Sequence, residues 1–500
     1  MRGDATLRLT DLLEGAPSIV ETSIPLAGID ITGLASDSRR VEPGYLFAAL
    51  PGTRADGRAF LQDAVRRGAV AVLAPPGTSC PPAAAGSTGT PVALITDDNP
   101  RRRLALLAAR FFGRQPATVA AVTGTNGKTS VVWFLRQIWA HLGRPAASLG
   151  TLGLCAPGLE VGGSLTTPDP VDLHATLARL ADAGVDCLAM EASSHGLAQH
   201  RLDGVRIAAA AFTNLTRDHL DFHGTSQAYL AAKTRLFSEV VAAGGTAVIN
   251  ADSPEFPAVA AAAAEGGLAV LGYGGRGADL AIDEAIPVAD GQRLRLTVRG
   301  EAAEVVLPLV GDFQAGNALA ALGLAIATGS DARAACAALT TLQPVPGRLE
   351  RAARRSNGAA VYVDYAHTPD ALAAVLRALR PQTTGRLVVV FGCGGDRDRG
   401  KRPEMGRIAA RLADRVIVTD DNPRSEPAAA IRRDVRAGCP DAIEIGDRGE
   451  AIGTAVAALE AGDVLVVAGK GHETGQIVGD RVLPFDDARV ARVAVAEADR

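Results

Sequence analysis

Thr118-Val-Ala-Ala-Val-Thr-Gly-Thr-Asn-Gly-Lys-Thr-Ser130 has the pattern of a buried strand, a glycine turn and the start of a helix. The residues before Gly124 are mostly apolar or β-branched, which is typical of a strand covered on both faces. Glycines at positions 124 and 127 allow a tight turn that points backbone N–H groups at an anion. Lys128 would reach terminal phosphates, and the Thr129 hydroxyl would bind Mg²⁺. The stretch therefore predicts a nucleotide-binding loop.

This loop is a shortened variant, Gly-x-x-Gly-Lys-Thr, because Val122 stands where the standard pattern has a further glycine. An ordinary strand-turn-helix junction with an incidental lysine is the alternative interpretation. The common register of strand, glycines, lysine and threonine favours phosphate binding.

The composition limits the classes of function that need to be considered. A chain of 500 residues suggests about three domains, and a content of 47% hydrophobic residues supplies a core for each. A net charge of −4 and few aromatic residues argue against a nucleic-acid partner. Six scattered cysteines without metal-ligand spacing predict free thiols in a reducing compartment. We find no signal-peptide pattern and no apolar run long enough to span a bilayer, so we expect a cytoplasmic protein without membrane insertion.

The order of the patterns predicts an α/β protein of three domains. Residues 1–98 read as a small N-terminal α/β domain of short strands and turns, and residues 99–343 as a central P-loop-type ATPase domain. Alternating residues at about 278–308 predict antiparallel strands within that domain. Residues 344–500 repeat a strand-helix rhythm, which predicts a Rossmann-like, doubly wound C-terminal domain.

Polar side chains follow two buried strands of the central domain. Glu191 ends one apolar run, and His219 follows another. Because ligands of open parallel sheets bind at the carboxyl edge, these two residues could converge on one cation such as Mg²⁺. Capping or surface positions are the alternative. Lys233 lies on a helix predicted at 226–240, where solvation is the default interpretation.

The predicted strands of the C-terminal domain are also followed by polar clusters. These clusters are Asp364–His367, Gly392–Asp398, Asp421–Arg424 and Gly469–Glu473. Since strand ends share one edge of the sheet, the clusters are expected to line one crevice. The Gly-Lys-Gly-His-Glu run lacks the Lys-Ser/Thr pair of a phosphate loop.

Several motifs together resemble one known family over essentially the whole chain. They are Gly-Thr-Asn-Gly-Lys-Thr, Met-Glu-Ala-Ser-Ser-His-Gly, Asn-Leu-Thr-Arg-Asp-His-Leu-Asp-Phe-His-Gly, Val-Asp-Tyr-Ala-His-Thr-Pro and Phe-Gly-Cys-Gly-Gly-Asp-Arg-Asp. The chain resembles the Mur ligases of peptidoglycan precursor synthesis. Its Gly-Gly-Asp-Arg-Asp, Asp-Asn-Pro-Arg and Gly-Lys-Gly-His-Glu segments resemble those of the MurE branch, which adds the third residue of the stem peptide. The resemblance implies an enzyme that uses ATP to join UDP-N-acetylmuramoyl-L-alanyl-D-glutamate to a diamino acid through an acyl phosphate. We expect a monomer.

The resemblance also implies roles for individual residues. It assigns catalysis to Lys128, Glu191, His219 and Lys233, and Mg²⁺ to Thr129, Glu191, His219 and a CO₂-derived carbamate on Lys233. It assigns ATP to Gly124, Thr125, Asn126, Gly127, Lys128, Thr129, Ser130, Asn317, Arg348 and Asp364. It assigns the UDP-linked substrate to Ser38, Thr53, Arg54, Ala55, Thr166, Thr167, Ser193, Gln199 and Arg201.

The identity of the added amino acid depends on charge. meso-Diaminopimelate differs from lysine by a distal carboxylate, which an arginine can grip in a bidentate manner. The resemblance places Arg397, Asp421, Asn422, Pro423, Arg424, Gly469 and Glu473 at this amino acid. A lysine-adding sibling, a folylpolyglutamate synthetase, a P-loop NTPase switch and an inactive paralogue are the alternatives. His367 and Cys393 are interpreted as packed side chains rather than ligands.

Overall fold

The computed structural model describes residues 6–14, 19–21, 25–52, 55–79, 92–163, 165–216, 218–288 and 290–500. The predicted α/β class and three-domain organisation are confirmed, whereas the boundaries at 98/99 and 343/344 stay predictions. No helix in these parts of the chain is long and apolar enough to cross a membrane.

The N-terminal domain is a small sheet with short helices. The elements are β1 (Leu7–Arg8), α1 (Leu9–Leu13), β2 (Ile19–Glu21), β3 (Asp30–Ile31), β4 (Gly33–Ala35), β5 (Tyr45–Ala48), α2 (Leu61–Arg66), β6 (Ala71–Ala74) and β7 (Ala93–Thr96). The strands of the sheet follow the order β2-β7-β6-β5-β4, parallel except for the antiparallel pair of β2 and β7. A separate antiparallel pair joins β1 and β3.

The central domain is built on one long mixed sheet, entered through α3 (Pro100–Phe112). Its strands are β8 (Thr118–Thr123), β9 (Ala146–Gly150), β10 (Gly153–Ala156), β11 (Leu159–Val161), β12 (Cys187–Glu191), β13 (Ile207–Phe212), β14 (Val241–Asn250), β15 (Ala269–Gly274), β16 (Leu280–Val288), β17 (Gly291–Val298) and β18 (Glu301–Leu307). Its other helices are α4 (Lys128–His141), α5 (Pro170–Asp182), α6 (Ser194–Ala198), α7 (Leu220–His223), α8 (Ser226–Arg235), α9 (Phe256–Glu265), α10 (Asp312–Ala327) and α11 (Ala332–Ala338).

Strand β8 lies in the middle of this sheet, between β12 and β13. Buried apolar residues of α4 and α10 cover one face, and those of α5 and α9 contribute to the core on the other. The ends of β12 and β13 therefore flank the loop that follows β8. The predicted antiparallel segment is confirmed as β16 to β18, and it extends the same sheet.

One predicted helix differs in detail. The helix expected at 226–240 is α-helical only to Arg235, and Leu236–Val240 forms a π-helical turn. Wider turns of this kind are frequent near functional sites, and this one begins three residues after Lys233.

The C-terminal domain is doubly wound, as predicted. The elements are β19 (Glu350–Arg354), β20 (Ala360–Asp364), α12 (Pro369–Leu379), β21 (Leu387–Phe391), α13 (Lys401–Leu412), β22 (Arg415–Val418), α14 (Ala428–Arg436), β23 (Ile443–Glu444), α15 (Arg448–Ala457), β24 (Val464–Ala468), the hairpin β25 (Gly475–Val478) with β26 (Arg481–Pro484), and α16 (Asp487–Ala498). The order of the strands in the six-stranded sheet is β19-β20-β24-β21-β22-β23, and β19 is its one antiparallel strand.

Candidate active site

The loop between β8 and α4 has the backbone that phosphate binding requires. Gly124 and Gly127 have φ angles of 141° and 88°, in the region that favours glycine. A Cβ atom on Gly127 would lie 2.4 Å from Asn317 Oδ1. Asn214 holds the loop from the neighbouring strand end, because its Oδ1 accepts the N–H of Asn126 at 3.0 Å. The helix N-terminus is thereby exposed to an anion.

Two lysines converge on one carbonyl oxygen of this loop. Lys128 Nζ donates to Gly124 O at 2.9 Å and to Thr125 O at 2.8 Å. Lys233 Nζ, only 1% exposed, donates to the same Gly124 oxygen at 2.6 Å and lies 4.4 Å from the ring centre of Tyr229. Burial lowers the pKa of Lys233 well below its ordinary value, and the charge of Lys128 lowers it further. The buried helical lysine is therefore not the solvated side chain that spacing alone suggests.

A carboxylate and a hydroxyl meet beside the loop. Thr129 Oγ1 donates to Glu191 Oε1 at 3.0 Å, and the backbone N–H of Thr151 donates to the same oxygen at 2.8 Å. Glu191 is 1% exposed. A hydroxyl and one carboxylate at a helix N-terminus fit Mg²⁺, which is commonly held by few protein oxygens together with phosphates and water. No group of three His, Cys, Asp or Glu residues in the described ranges could hold a metal by itself, so this pair would need ligands from a bound nucleotide.

His219 lies in the next loop with its backbone in the left-handed region, at φ 54°. Its ring centre is 4.8 Å from that of His195 and 6.2 Å from that of Tyr229, the ring that Lys233 contacts. His219 Nε2 lies 3.4 Å from Asp218 Oδ2. The structure thus brings His219 to the same side of the sheet as Lys233.

Most residues predicted for the UDP-linked substrate form one network next to Glu191. Thr167 Oγ1 donates to the backbone carbonyl of Glu191 at 2.9 Å and accepts the Ser193 N–H at 3.0 Å. Arg201 donates to Thr167 O at 2.6 Å and to Gln199 Oε1 at 2.7 Å. Thr166 joins the network because its hydroxyl oxygen lies 3.1 Å from the hydroxyl oxygen of Thr151, which also contacts Glu191.

The N-terminal domain adjoins this network. Ser38 is buried, with 7% of its surface exposed, and Ser36 Oγ donates at 3.0 Å to Oδ2 of Asp169, the residue that caps the N-terminus of α5. Ala55 is exposed, and Thr53 and Arg54 lie outside the described residues.

The predicted nucleotide residues of the domain junction also meet. Asn317 contacts Gly127 from α10, as described above. Arg348 stacks on Tyr365, with 4.1 Å from Cζ to the ring centre. Asp364, at the end of β20, accepts the N–H groups of Leu349 and Ala366 at 2.6 and 2.7 Å. Burial raises the pKa of Asp364 to about 6, which the charge of Arg348 opposes.

The residues predicted to bind the amino acid come from three loops at the carboxyl edge of the C-terminal sheet. Arg424 has φ 53° and donates to Gly395 O at 2.8 Å. Asn422 Nδ2 donates to Glu473 Oε2 at 2.9 Å. Gly469 has φ 119°, and a Cβ there would lie 2.9 Å from Asp421 Oδ2. Pro423 packs its carbonyl against Gly395. Arg397 is exposed.

A cavity of about 810 Å³ joins the two domains at this point. The central domain contributes Asp218 and His219, and the C-terminal domain contributes Arg397, Asn422, Arg424 and Glu473. Eight acidic residues, three arginine or lysine residues and two histidines line this space, which suits a substrate that carries both amino and carboxylate groups.

His367 and Cys393 have environments consistent with packing. His367 Nδ1 lies 2.9 Å from Tyr365 O, and burial lowers the pKa of its imidazole to about 4. Cys393 is 4% exposed, and burial raises the pKa of its thiol to about 12. His367 nevertheless lines the cavity. The five cysteines in the described part of the chain are free.

Sequence reasoning did not single out three residues of this arrangement. Thr151 contacts Glu191, Asn214 holds the glycine loop, and Lys470 lies under the amino-acid pocket. Asn214 lies two residues after β13, so its position at a strand end next to β8 was a usable signal. Thr151 follows β9 directly and Lys470 lies two residues after β24, so the strand ends point to them as well, but their particular contacts depend on the tertiary structure.

Three family models cover most of the chain. The Mur ligase family catalytic domain matches residues 30–112, the Mur ligase middle domain matches 122–325, and the Mur ligase glutamate ligase domain matches 347–471. The chain belongs to the Mur ligase family. A relative from Mesorhizobium japonicum is 55% identical over 471 residues, which cover 94% of this chain and 96% of that protein. It is named UDP-N-acetylmuramoyl-L-alanyl-D-glutamate--2,6-diaminopimelate ligase.

Solved structures agree with this membership. This Mur ligase is similar to a structure of a UDP-N-acetylmuramoyl-L-alanyl-D-glutamate--2,6-diaminopimelate ligase, with a TM-score of 0.72, 34% identity and coverage of 99% of this chain and 100% of that one. A folylpolyglutamate synthase from Mycobacterium tuberculosis has a TM-score of 0.63 at 21% identity and covers 79% of this chain and 94% of its own. At that identity the second likeness shows the fold alone.

Proposed function

We propose that this Mur ligase adds meso-2,6-diaminopimelate to the D-glutamate carboxylate of UDP-N-acetylmuramoyl-L-Ala-D-Glu, with ATP converted to ADP and phosphate. The observation that carries the proposal is the cavity in which His219 of the central domain faces Arg397, Arg424 and Glu473 of the C-terminal domain. The relatives named above support the same substrates.

The reaction joins two anions before it forms the amide. An oxygen of the D-glutamate carboxylate attacks the γ-phosphorus of ATP, and the bond to ADP breaks. The amine nitrogen of diaminopimelate then attacks the acyl carbon, loses a proton, and inorganic phosphate leaves. Both steps need positive charge around the phosphoryl oxygens and a fixed approach of the reacting groups.

The glycine loop supports ATP binding. We assign the phosphates to the backbone of Gly124, Thr125, Asn126, Gly127 and Ser130, with Lys128 as the catalytic cation. Lys128 now bonds only to backbone carbonyls among the described residues, so its charge is available to an anion. Thr129 and Glu191 would hold Mg²⁺, which would screen the phosphate charges when bound.

Lys233 and His219 are assigned to a second Mg²⁺, with Lys233 as a carbamate. A buried amine whose pKa is lowered has a larger neutral fraction, which is the form that attacks CO₂. Its product would be an anionic oxygen ligand, whereas the ammonium would repel a metal ion. The closeness of Lys128 favours loss of the positive charge.

We assign Asn317, Arg348 and Asp364 to the nucleotide, because they surround the glycine loop and the domain junction. The network of Thr166, Thr167, Ser193, Gln199 and Arg201, with Ser38, Thr53, Arg54 and Ala55 of the N-terminal domain, is assigned to the UDP-linked substrate. Thr167 connects this network to Glu191 and so places its substrate next to the phosphates.

Charge supports diaminopimelate over L-lysine. Arg424 and Arg397 line the cavity and would receive the distal carboxylate, while Glu473 would accept from the distal ammonium. L-Lysine would leave these arginines without a carboxylate, which works against binding. Asp421, Asn422, Pro423 and Gly469 complete the pocket.

Phosphate release with ATP, Mg²⁺ and the UDP-linked dipeptide tests the proposal, with meso-diaminopimelate, L-lysine and no acceptor compared in parallel. Release that depends on diaminopimelate is the expected result. Release with L-lysine in place of diaminopimelate would support a ligase but would contradict the role assigned to Arg397 and Arg424. Equal release without any acceptor would support an NTPase switch.

The proposal places the enzyme in the cytoplasm, where ATP and UDP-linked precursors are available. We further propose that the enzyme acts as a monomer.

A further inference from the structure

Lys470 is a buried cation that the proposed reaction does not use. Its side chain is fully buried, and its ammonium donates to Asn422 Oδ1 at 2.8 Å and to Gly475 O at 2.7 Å. The carboxylates of Asp421 and Glu473 each have an oxygen 3.5 Å from Nζ. The residue therefore lies behind the wall of the amino-acid cavity, among residues that line it.

These contacts fix the direction of the Asn422 amide. Its Oδ1 accepts from Lys470 and also from the backbone N–H of Ile477 at 2.9 Å. Because Lys470 can only donate, the amide oxygen must face it, and Nδ2 must face the other way. Nδ2 then donates one hydrogen to Glu473 Oε2 at 2.9 Å. Nδ2 has no other hydrogen-bond partner among the described residues, and Asn422 lines the cavity.

The hairpin that follows Lys470 holds the same loop. The Arg424 N–H donates to Ile477 O at 3.1 Å, and the Gly479 N–H donates to Arg424 O at 2.8 Å. Gln476 Nε2 donates to Asp421 O at 2.7 Å. Lys470 is bonded to the first residue of this hairpin, Gly475. The left-handed backbone at position 424 is thus supported by the segment that Lys470 anchors.

We propose that Lys470 is a positioning residue for the amino-acid substrate: its ammonium orients the Asn422 amide so that a donor and the Glu473 carboxylate face the cavity. The inference rests on the proposed function, because it concerns the pocket assigned there to diaminopimelate. It gives the Gly-Lys-Gly-His-Glu run a role in recognising a zwitterionic amino acid, in place of the phosphate binding that its glycines suggest.

Loss of the ammonium would remove one of the two donors to Asn422 Oδ1 and so weaken the hold on this amide, and it would remove the cation that lies 3.5 Å from both the Asp421 and the Glu473 carboxylates. The substrate's carboxylate would then meet an amide oxygen in part of the population. A hydrogen bond to a charged group contributes enough that we expect the KM for the amino acid to rise about tenfold to a hundredfold. The KM for ATP should change less than about threefold, since the glycine loop lies in another domain.

Lys470→Met is the test, since methionine keeps most of the side-chain volume. The KM for diaminopimelate, the KM for ATP and kcat are measured for wild type and variant, together with thermal unfolding. Arg355→Met is the matched control: Arg355 is 12% exposed, bonds to Asp499 and to carbonyls of Val456, Leu459 and Ala498, and lies before β20 at the opposite edge of the sheet. The control should lower the unfolding temperature without a selective change in the KM for the amino acid.

An unchanged KM for diaminopimelate in folded Lys470→Met overturns the inference, and so does an equal rise in the control. If Lys470→Met does not fold, Gln476→Ala is the second test. Gln476 is half-buried, and its replacement removes the hydrogen bond from Nε2 to Asp421 O through which the hairpin supports the same loop. We expect a several-fold rise of the same KM there, and no change would overturn the inference. Failure of the proposed function is seen separately, as wild-type protein that releases no phosphate in response to diaminopimelate.

Discussion

The two halves of the candidate site hold their cations in different ways. At the glycine loop, Lys128 bonds to two backbone carbonyls among the described residues. At the carboxyl edge of the C-terminal sheet, Arg402 and Arg448 are paired with carboxylates: Arg402 with Glu426 at 2.8 Å, and Arg448 with Asp487 at 2.7 Å.

The difference separates cations that act on a ligand from cations that hold the protein. A carbonyl dipole compensates an ammonium only partly, so the remaining positive charge attracts the anion that enters. A carboxylate neutralises an arginine, and the pair then fixes the strand ends that it bridges. Arg448 shows this directly, because it also donates to Ala468 O at the end of β24.

Lys128→Met should give the largest effect, because it removes the ligand-directed charge of the glycine loop. We expect kcat to fall by about a thousandfold or more, as happens when a group that stabilises transition-state charge is removed. Phosphate release under saturating substrates measures it. Arg136→Met on the same helix, where Arg136 stacks on Trp133, should stay near wild type. Substantial activity in Lys128→Met would contradict the role of Lys128 as a cation that acts on the ligand.

Arg448→Met should act on stability instead. It leaves the Asp487 carboxylate, 0% exposed, without its partner, which costs about 3–5 kcal/mol of the free energy of unfolding. Chemical denaturation followed by circular dichroism measures the loss. The double variant Arg448→Met with Asp487→Leu should recover most of it, and a double variant as unstable as the single one would contradict the pairing argument.

Arg424→Ala sharpens the comparison, because Arg424 lies in the region of structural cations and is nevertheless assigned to the ligand. Loss of a buried charge partner costs about 2–5 kcal/mol, so the KM for diaminopimelate should rise about thirtyfold to several-thousandfold. The KM for ATP should stay unchanged. Arg433→Ala, on the exposed side of α14, serves as the control. An unchanged apparent affinity for diaminopimelate would refute the assignment.

His174 lies outside both halves of the candidate site and serves as a reference for the pH dependence of stability. It is 3% exposed, lies 3.2 Å through Nε2 from Asp203 O, and burial lowers its pKa to about 4. Since its folded-state pKa is below the ordinary value, the unfolded chain binds the proton more readily, and stability falls as pH falls from about 6.5 towards 4. Urea unfolding at pH 7 and pH 5 should show a loss from this group of about 2 kcal/mol. His174→Gln keeps a donor for the carbonyl and should show a smaller loss, whereas an equal loss would exclude His174 as the cause.

The glycine loop could be predicted from the sequence because its parts are contiguous. Six positions contain Gly124, Gly127, Lys128 and Thr129, so one motif predicts both the backbone turn and the groups that bind phosphate and Mg²⁺. Glu191 could also be predicted, from the weaker rule that ligands bind at the carboxyl ends of buried strands. The burial of Lys233 could not be predicted, because the pattern of its helix does not tell which face meets the glycine loop.

The amino-acid pocket could be predicted only as a set of loops. Strand ends identify Asp421, Asn422 and Glu473, but they do not tell that a lysine between them sets the direction of an amide. Lys470 was judged against the pattern of a phosphate loop, which it fails, and the hairpin contacts that give it a role join segments about fifty residues apart. The π-helical turn after Arg235 was missed for a similar reason, since helix periodicity does not distinguish the two windings over five residues.

The left-handed backbone at Arg424 has a consequence for protein engineering. A library aimed at a different amino-acid acceptor would lose many members at position 424, because β-branched and bulky residues rarely adopt a φ of 53°. Glycine, asparagine and aspartate remain compatible there. Position 397 is exposed and carries no such restriction. Diversity placed at 397, with 424 kept to the compatible few, would therefore search new acceptor chemistry with the fewest misfolded variants.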